Sequence, residues 1–231
     1  MEISGNTGTC DDCNSASVCF KRLLPGELEF LNSNKSQLLF SKGETVCKEG
    51  GFSSGVKYIT DGLVKVFIEG PNKRNIIVKL VNRGDFIGLS SLHGNPTYSY
   101  SATALRDTRV CMITREAILE LILRNGDFAH EIIRWYCESY SMAYKKLESI
   151  CFKNLPGRVA YVLLYLKQEK FKDDNVFRYL RRSDLADMAG VPMESCVRIL
   201  SEFSDSNIIS LSGREITITD EEMLGKIMRG G

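Results

Sequence analysis

Hydrophobic and polar positions change rhythm twice along this chain. From Leu38 to Thr114 apolar residues come in short alternating runs such as Val56-Lys-Tyr-Ile59, Leu63-Val-Lys-Val-Phe-Ile68 and Ile76-Ile-Val-Lys-Leu-Val81. Gly43, Gly50, Gly62, Gly70, Gly84 and Gly94 punctuate them. A period of two bounded by turn residues predicts short strands, and their regular spacing predicts an antiparallel roll or barrel. From about Asp127 to Ile150 the period lengthens. Ile132, Tyr136, Ser139, Ala143, Leu147 and Ile150 recur every three or four residues, which predicts a long helix with a seam along one face. The seam is read as a parallel homodimer contact, because it is longer than a helix needs merely to cover the roll. Phe152-Lys-Asn-Leu-Pro-Gly157 is the best linker.

Beyond that linker the pattern shortens again. Ser183 stands before the apolar positions Leu185, Ala186 and Ala189 and is expected to cap a short helix that stops at Gly190. Pro192 suits the first turn of a second helix. In that helix Glu194, Ser195 and Arg198 share an outer face while Ile199 and Leu200 return to the core. The second helix is expected to end near Ser204. Ile208 to Thr219 then alternates around a turn at Ser212-Gly213, which predicts a strand hairpin. Two short helices and a hairpin make a winged helix-turn-helix, and an outward Arg and Glu one turn apart can read guanine and cytosine edges. The competing reading is a helical hairpin with a solvated charged face, and the following strands weigh against it.

Composition narrows the classes. With 231 residues and 43% hydrophobic content, two modest cores are expected. The net charge is only +1, and the segment from Lys153 onward carries twelve basic and twelve acidic residues. DNA contact must therefore come from charge gathered on one face, with Arg158, Arg181, Arg182, Arg198 and Arg214 as candidates. No apolar run approaches the ~18 residues of a spanning helix, and the N-terminus lacks the apolar core of a signal peptide, so a cytoplasmic chain without membrane contact is expected. Its eight cysteines are then expected to be reduced. Only His93 and His130 supply imidazoles. With no phosphate loop, nucleophile elbow or paired zinc-binding histidines either, catalysis is not expected.

Phe40-Ser-Lys-Gly-Glu-Thr-Val-Cys-Lys-Glu-Gly50, Tyr58-Ile-Thr-Asp-Gly-Leu-Val-Lys-Val66 and Gly84-Asp-Phe-Ile-Gly88, followed by the helix-turn-helix, resemble the CRP/FNR superfamily of bacterial transcription regulators over nearly the whole chain. The resemblance implies an α+β fold. Residues 1–24 would form a Cys-rich segment, 25–126 a sensory antiparallel β-roll of the cyclic-nucleotide-binding, jelly-roll type, 127–152 a dimerisation helix, and 153–231 a winged helix-turn-helix. It also implies a homodimer on a palindromic site of double-stranded DNA. RNA polymerase would be a further partner, met through exposed loops, if the protein activates. Glu194 and Arg198 match the family's base-reading pair, with Ser183, Ser195, Arg181, Arg182 and Arg214 around them. Val197 stands where the FNR subgroup has Ser, so an altered half-site preference is expected.

The effector is less legible. In the roll, Leu89 stands where members that bind cyclic AMP carry Glu, and Tyr100, within Tyr98-Ser-Tyr-Ser101, stands where they carry Arg. Cyclic AMP is not expected, because a semi-buried phosphate needs a cation. At the N-terminus Cys10-x2-Cys13-x5-Cys19 offers three soft ligands, which suit a soft metal, zinc, an iron–sulfur cluster or a thiol switch. The resemblance to the FNR-like branch implies a [4Fe–4S] cluster completed by Cys111 of Val110-Cys111, responding to oxygen or nitric oxide. Haem on His93 or His130, an unknown small molecule in the roll, and a regulatory domain without DNA binding are the alternatives. Cys47, Cys137, Cys151 and Cys196 are expected to pack as small hydrophobes, with Cys196 close enough to the reading face for its oxidation to matter.

Overall fold

The computed structural model describes residues 2–4, 20–71 and 74–231. They divide into two compact units: the described residues up to Ile68 with Leu80–Tyr140, and those of Glu69–Lys79 with Ser141–Gly231.

The roll makes up the first unit, except that the last residue of its fifth strand and most of its sixth fall in the second. Its strands are β1 (Glu2–Ser4), β2 (Lys35–Phe40), β3 (Thr45–Cys47), β4 (Gly55–Asp61), β5 (Leu63–Glu69), β6 (Asn75–Asn82), β7 (Phe86–Ile87), β8 (Ser101–Ala104) and β9 (Thr108–Thr114). They form two sheets, ordered β1-β2-β9-β4-β7 and β3-β8-β5-β6. Every described pairing is antiparallel. Alternation along β9 shows how the sheet serves two cores. Val110 joins Leu38, Ile59, Val66 and Ala102 in one cluster. Cys111 and Ile113, on the opposite face, join Val56, Tyr58 and Phe86 in the other, as a period of two requires. Gly62, between β4 and β5, has φ +132°, and a Cβ there would collide with the Thr108 side chain, so only glycine makes this corner.

Helices cover the outer face of the five-stranded sheet. These are α1 (Pro25–Ser33), α2 (Arg115–Arg124) and the start of α3 (Gly126–Phe152). Leu31, Ala117, Ile118, Leu121 and Phe128 supply the apolar contact. Thr114 ends β9 and caps α2, its side chain accepting the Ala117 N–H. Ile132, 4% exposed, turns into this same cluster, with Trp135 and Tyr136 packed against it.

That placement takes two residues of the expected dimer seam into the protomer's own core. Ile132 and Tyr136 serve their own protomer, while Ser139 and Ile150 are half-buried. Of the predicted set, only Ala143 and Leu147 are exposed. The large apolar residues left outward are Ile133, Tyr140, Tyr144, Leu147 and, at the end of the helix, Phe152, accompanied by the exposed Cys137 and Cys151. The outward stripe begins one residue later than the predicted one, a turn of about 100° around the helix. A helix apolar on two faces gives the same period whichever face turns inward.

The second unit carries α4 (Leu155–Leu166), α5 (Arg182–Ala189), α6 (Met193–Asp205), the hairpin β10 (Ile209–Ser212) and β11 (Glu215–Ile218), and α7 (Glu221–Gly230). Asn154 caps α4 by accepting the Gly157 N–H at 2.9 Å, and Asp220 caps α7 by accepting the Met223 N–H at 2.8 Å. Leu163, Leu166, Leu185, Ile199, Leu200, Ile209 and Leu224 are buried. Among the described residues no helix is long and apolar enough to cross a membrane.

Candidate functional site

The reading face is built by α5, α6 and the hairpin. α5 begins at Arg182, two residues earlier than a Ser183 cap would place it. The carboxylate of Asp184 accepts the Arg181 N–H at 2.8 Å, so Ser183 is not the cap. An acidic residue reaching back from the third helical position serves instead. Gly190 ends α5 at φ +63°, in the left-handed conformation expected of it. In α6, Cys196, Ile199, Leu200 and Phe203 are buried and hold the helix down. Glu194, Val197 and Arg198 are exposed, and Ser195 is half-buried. The side chains expected to meet base edges thus lie on the solvent side of a firmly packed helix.

Two contacts were not legible beforehand. The Arg198 guanidinium pairs with Glu202 at 2.5 Å, one turn further along α6, so a base contact by Arg198 exchanges this ion pair for DNA. Both partners are exposed, and such pairs contribute only ~0–1 kcal/mol. Arg182 donates to the Gly213 carbonyl at 2.9 Å, tying the start of α5 to the hairpin turn. Arg181 and Arg214 are exposed. Arg158 is half-buried, its Nε donating to the Lys153 carbonyl at 2.8 Å. Cys196 is fully buried, and burial pushes its thiol up to about 11. Oxidation at Cys196 is therefore disfavoured, since the thiolate is the reactive form.

Inside the roll, Tyr98 meets a cation that the sequence reading did not name, with Tyr100 packed in the same cluster and Leu89 in the other. Lys57 is 7% exposed, and its ammonium donates to Tyr98 Oη at 2.5 Å and lies 4.8 Å from the centre of the Tyr98 ring. Tyr100 Oη accepts the Gly88 N–H at 2.9 Å, and burial raises its phenol above the ordinary range. Ser101 Oγ accepts the Glu49 N–H at 2.9 Å. Leu89 is buried. Cys47 is buried too, and that burial pushes its thiol up to about 11. A charged residue alternating within the apolar run Val56-Lys-Tyr-Ile59 was the available signal.

Cys10, Cys13 and Cys19 lie outside the described residues. Cys111 is 6% exposed and sits directly across from Tyr58 on β4. Phe20, the residue after Cys19, packs edge-on against Tyr58 with ring centres 4.8 Å apart. It belongs to the same cluster as Cys111. Two residues further, Arg22 pairs with Glu131 of α3 at 3.5 Å, and its carbonyl accepts from Asn125 at 3.1 Å. Among the described residues no group of three or more ligating side chains converges, His93 and His130 included. Cys137 and Cys151 are exposed, contrary to the expected packing, because they lie on the uncovered stripe of α3.

A cyclic nucleotide-binding domain model matches residues 37–125, and a Crp-like helix-turn-helix domain model matches residues 157–227. The CRP-like cAMP-activated global transcriptional regulator of Mycobacterium tuberculosis is 24% identical over 223 residues, covering 95% of this chain and 100% of that protein. FixK2 from Bradyrhizobium japonicum superposes with a TM-score of 0.73 at 21% identity, over 84% of this chain and 96% of that one. The c-di-GMP responsive global regulator CLP of Xanthomonas campestris gives 0.71 at 17% identity, over 84% and 98%. A roll of this type followed by a Crp-like helix-turn-helix makes the chain a member of the CRP/FNR family of DNA-binding transcription regulators, and not an enzyme.

Proposed function

We propose that two copies of this regulator pair along α3 and read a palindromic DNA site with α6, Arg198 and Glu194 meeting base edges while Arg181, Arg182 and Arg214 meet phosphates. Two reading heads one DNA turn apart suit a two-fold symmetric site. The exposed α6 face on a buried apolar base supports this reading. The neighbours differ in effector by their own names, cAMP in one and c-di-GMP in another, so the family leaves the signal open.

For the signal, the reading is that of the FNR-like branch: Cys10, Cys13, Cys19 and Cys111 would hold a [4Fe–4S] cluster, whose chemistry is destruction by oxygen or nitric oxide. The observation that carries it is Phe20, seated in the cluster of side chains that contains Cys111, which tethers the chain next to Cys19 on that side of the sheet. Arg22, Glu131 and Asn125 then join this tether to the α2–α3 corner. Drawing the N-terminal segment toward Cys111 biases the packing of α3 where it begins, and a shift in dimer population follows. Anaerobic purification with an absorbance spectrum and iron and sulfide counts tests this. About four irons per chain, a band that bleaches in air, and loss of both the colour and operator binding in Cys111→Ser are expected. Iron-free protein that binds its operator equally well with and without air overturns it. A second reading rests on Lys57, a buried cation beside Tyr98. It assigns the roll an anionic small molecule, and ligand-induced protection of the roll from hydrogen exchange in iron-free protein would favour it.

A further inference from the structure

The uncovered stripe of α3 carries chemistry as well as apolar surface. Ile133, Cys137, Tyr140, Tyr144, Leu147 and Cys151 follow one another at intervals of four, three, four, three and four residues. That is the 3.5-residue repeat with which a helix meets a parallel copy of itself. Ile133, Tyr140, Tyr144 and Leu147 are 56–64% exposed. Ser141 and Ala143 border the stripe and let a second backbone approach closely. Cys137 and Cys151 are fourteen residues apart, two whole heptads, and therefore occupy the same heptad position. Both are exposed, whereas Cys47, Cys111 and Cys196 are buried.

We infer that Cys137 and Cys151 are inter-subunit disulfide sites, each meeting its own copy across the axis of the dimer and joined by a small-molecule disulfide. This rests on the homodimer reading above. Packed helices lie ~8–10 Å apart, and Cα atoms lie ~2.3 Å from their axis. Side chains facing across the seam thus have Cα atoms roughly 3.5–5.5 Å apart, overlapping the ~4.4–6.8 Å of disulfides. The Cys137 thiolate attacks the small disulfide, forming a mixed disulfide and releasing one small thiolate. The partner's Cys137 thiolate then attacks the protein sulfur, forming the Cys137–Cys137 bond and releasing the second. Two protein thiols are oxidised, one small disulfide is reduced, and the two protons leave on the released thiols. Cys151 reacts in the same way. The joined dimer no longer separates on dilution.

The test uses the full chain and its Cys137→Ser, Cys151→Ser and doubly substituted variants. Sedimentation of the anaerobically purified protein in dithiothreitol reads the dimer, and non-reducing electrophoresis after oxidised glutathione reads the bond. All four proteins are expected to sediment at twice the 26.0 kDa chain mass. Wild type and each single variant should cross-link at least tenfold faster than the double variant, and dithiothreitol should reverse the bond. Dimers whose double variant cross-links as fast as wild type overturn the inference and leave the dimer reading standing. So do single variants that each lose the bond entirely, since that marks Cys137 meeting the partner's Cys151 in an antiparallel pair. Monomers in dithiothreitol overturn the dimer reading and this inference together.

Discussion

Lys146 offers the sharpest physical test of the second unit. It lies on α3 at 8% exposure, in a recess lined by Val78, Lys79, Met142, Tyr161, Val162, Tyr165 and Met188 that leaves a cavity of about 10 Å3, room for one water. The neighbouring titratable groups are another lysine and two tyrosines, and no carboxylate faces the ammonium among the described residues lining it. Burial lowers its pKa from 10.5 to about 8. The folded protein therefore holds the Lys146 proton less tightly than the unfolded chain. Between pH 8 and 10.5 the unfolded state binds more protons, and stability rises with pH through that window. Below pH 8 both states are protonated and the penalty is fully present. At 1.36 kcal/mol per pKa unit, the difference corresponds to about 3 kcal/mol. Lys146→Met keeps the volume and removes the charge. It should stabilise the protein by up to about 3 kcal/mol at pH 7, roughly 6–12 °C in Tm for a chain of this size. Near pH 10.5 its advantage should almost vanish. Urea unfolding of wild type and variant at pH 7, 8.5 and 10 gives the difference, in which groups common to both proteins cancel. An advantage that is the same at all three pH values would refute the reasoning, because the charge would then be compensated in the fold.

Arg198→Ala should lose about 1–3 kcal/mol of affinity for the specific site with dimerisation unchanged, and equal weakening on random DNA in a fluorescence titration would make Arg198 a phosphate contact. Glu202→Gln frees the Arg198 guanidinium from an exposed pair and should tighten operator binding by no more than about fivefold, since such a pair contributes ~0–1 kcal/mol; weaker binding would show Glu202 itself to be needed on DNA. Tyr144→Glu, on the outward stripe, should give a folded monomer in sedimentation. Ile132→Ala should instead cost about 2–5 kcal/mol of stability, and the opposite pairing of effects would restore the seam first read from the sequence.

The order of the elements was legible along the chain because each follows from a local rule. Alternation made the strands, Gly190 stopped α5 in a left-handed turn, and the polar outer positions of α6 stood apart from Ile199 and Leu200. Both domains, the helix proposed to read DNA and its outward residues could thus be named from residues a few positions apart. Partnership depends on atoms far apart in sequence, and the tertiary structure decided it. Which apolar stripe of α3 turns inward was settled by Phe86 and Phe128, packed with Ile132 in one core. Arg198 chose Glu202 because a solvent-exposed guanidinium takes the nearest carboxylate one turn away. Lys57 became a buried cation because its strand is covered on both faces. Cys137 and Cys151, identical in composition to the buried cysteines, were left in solvent by the same rotation of α3 that buried Ile132. Periodicity records that a helix has an apolar side, and only packing against a distant surface selects which side is used.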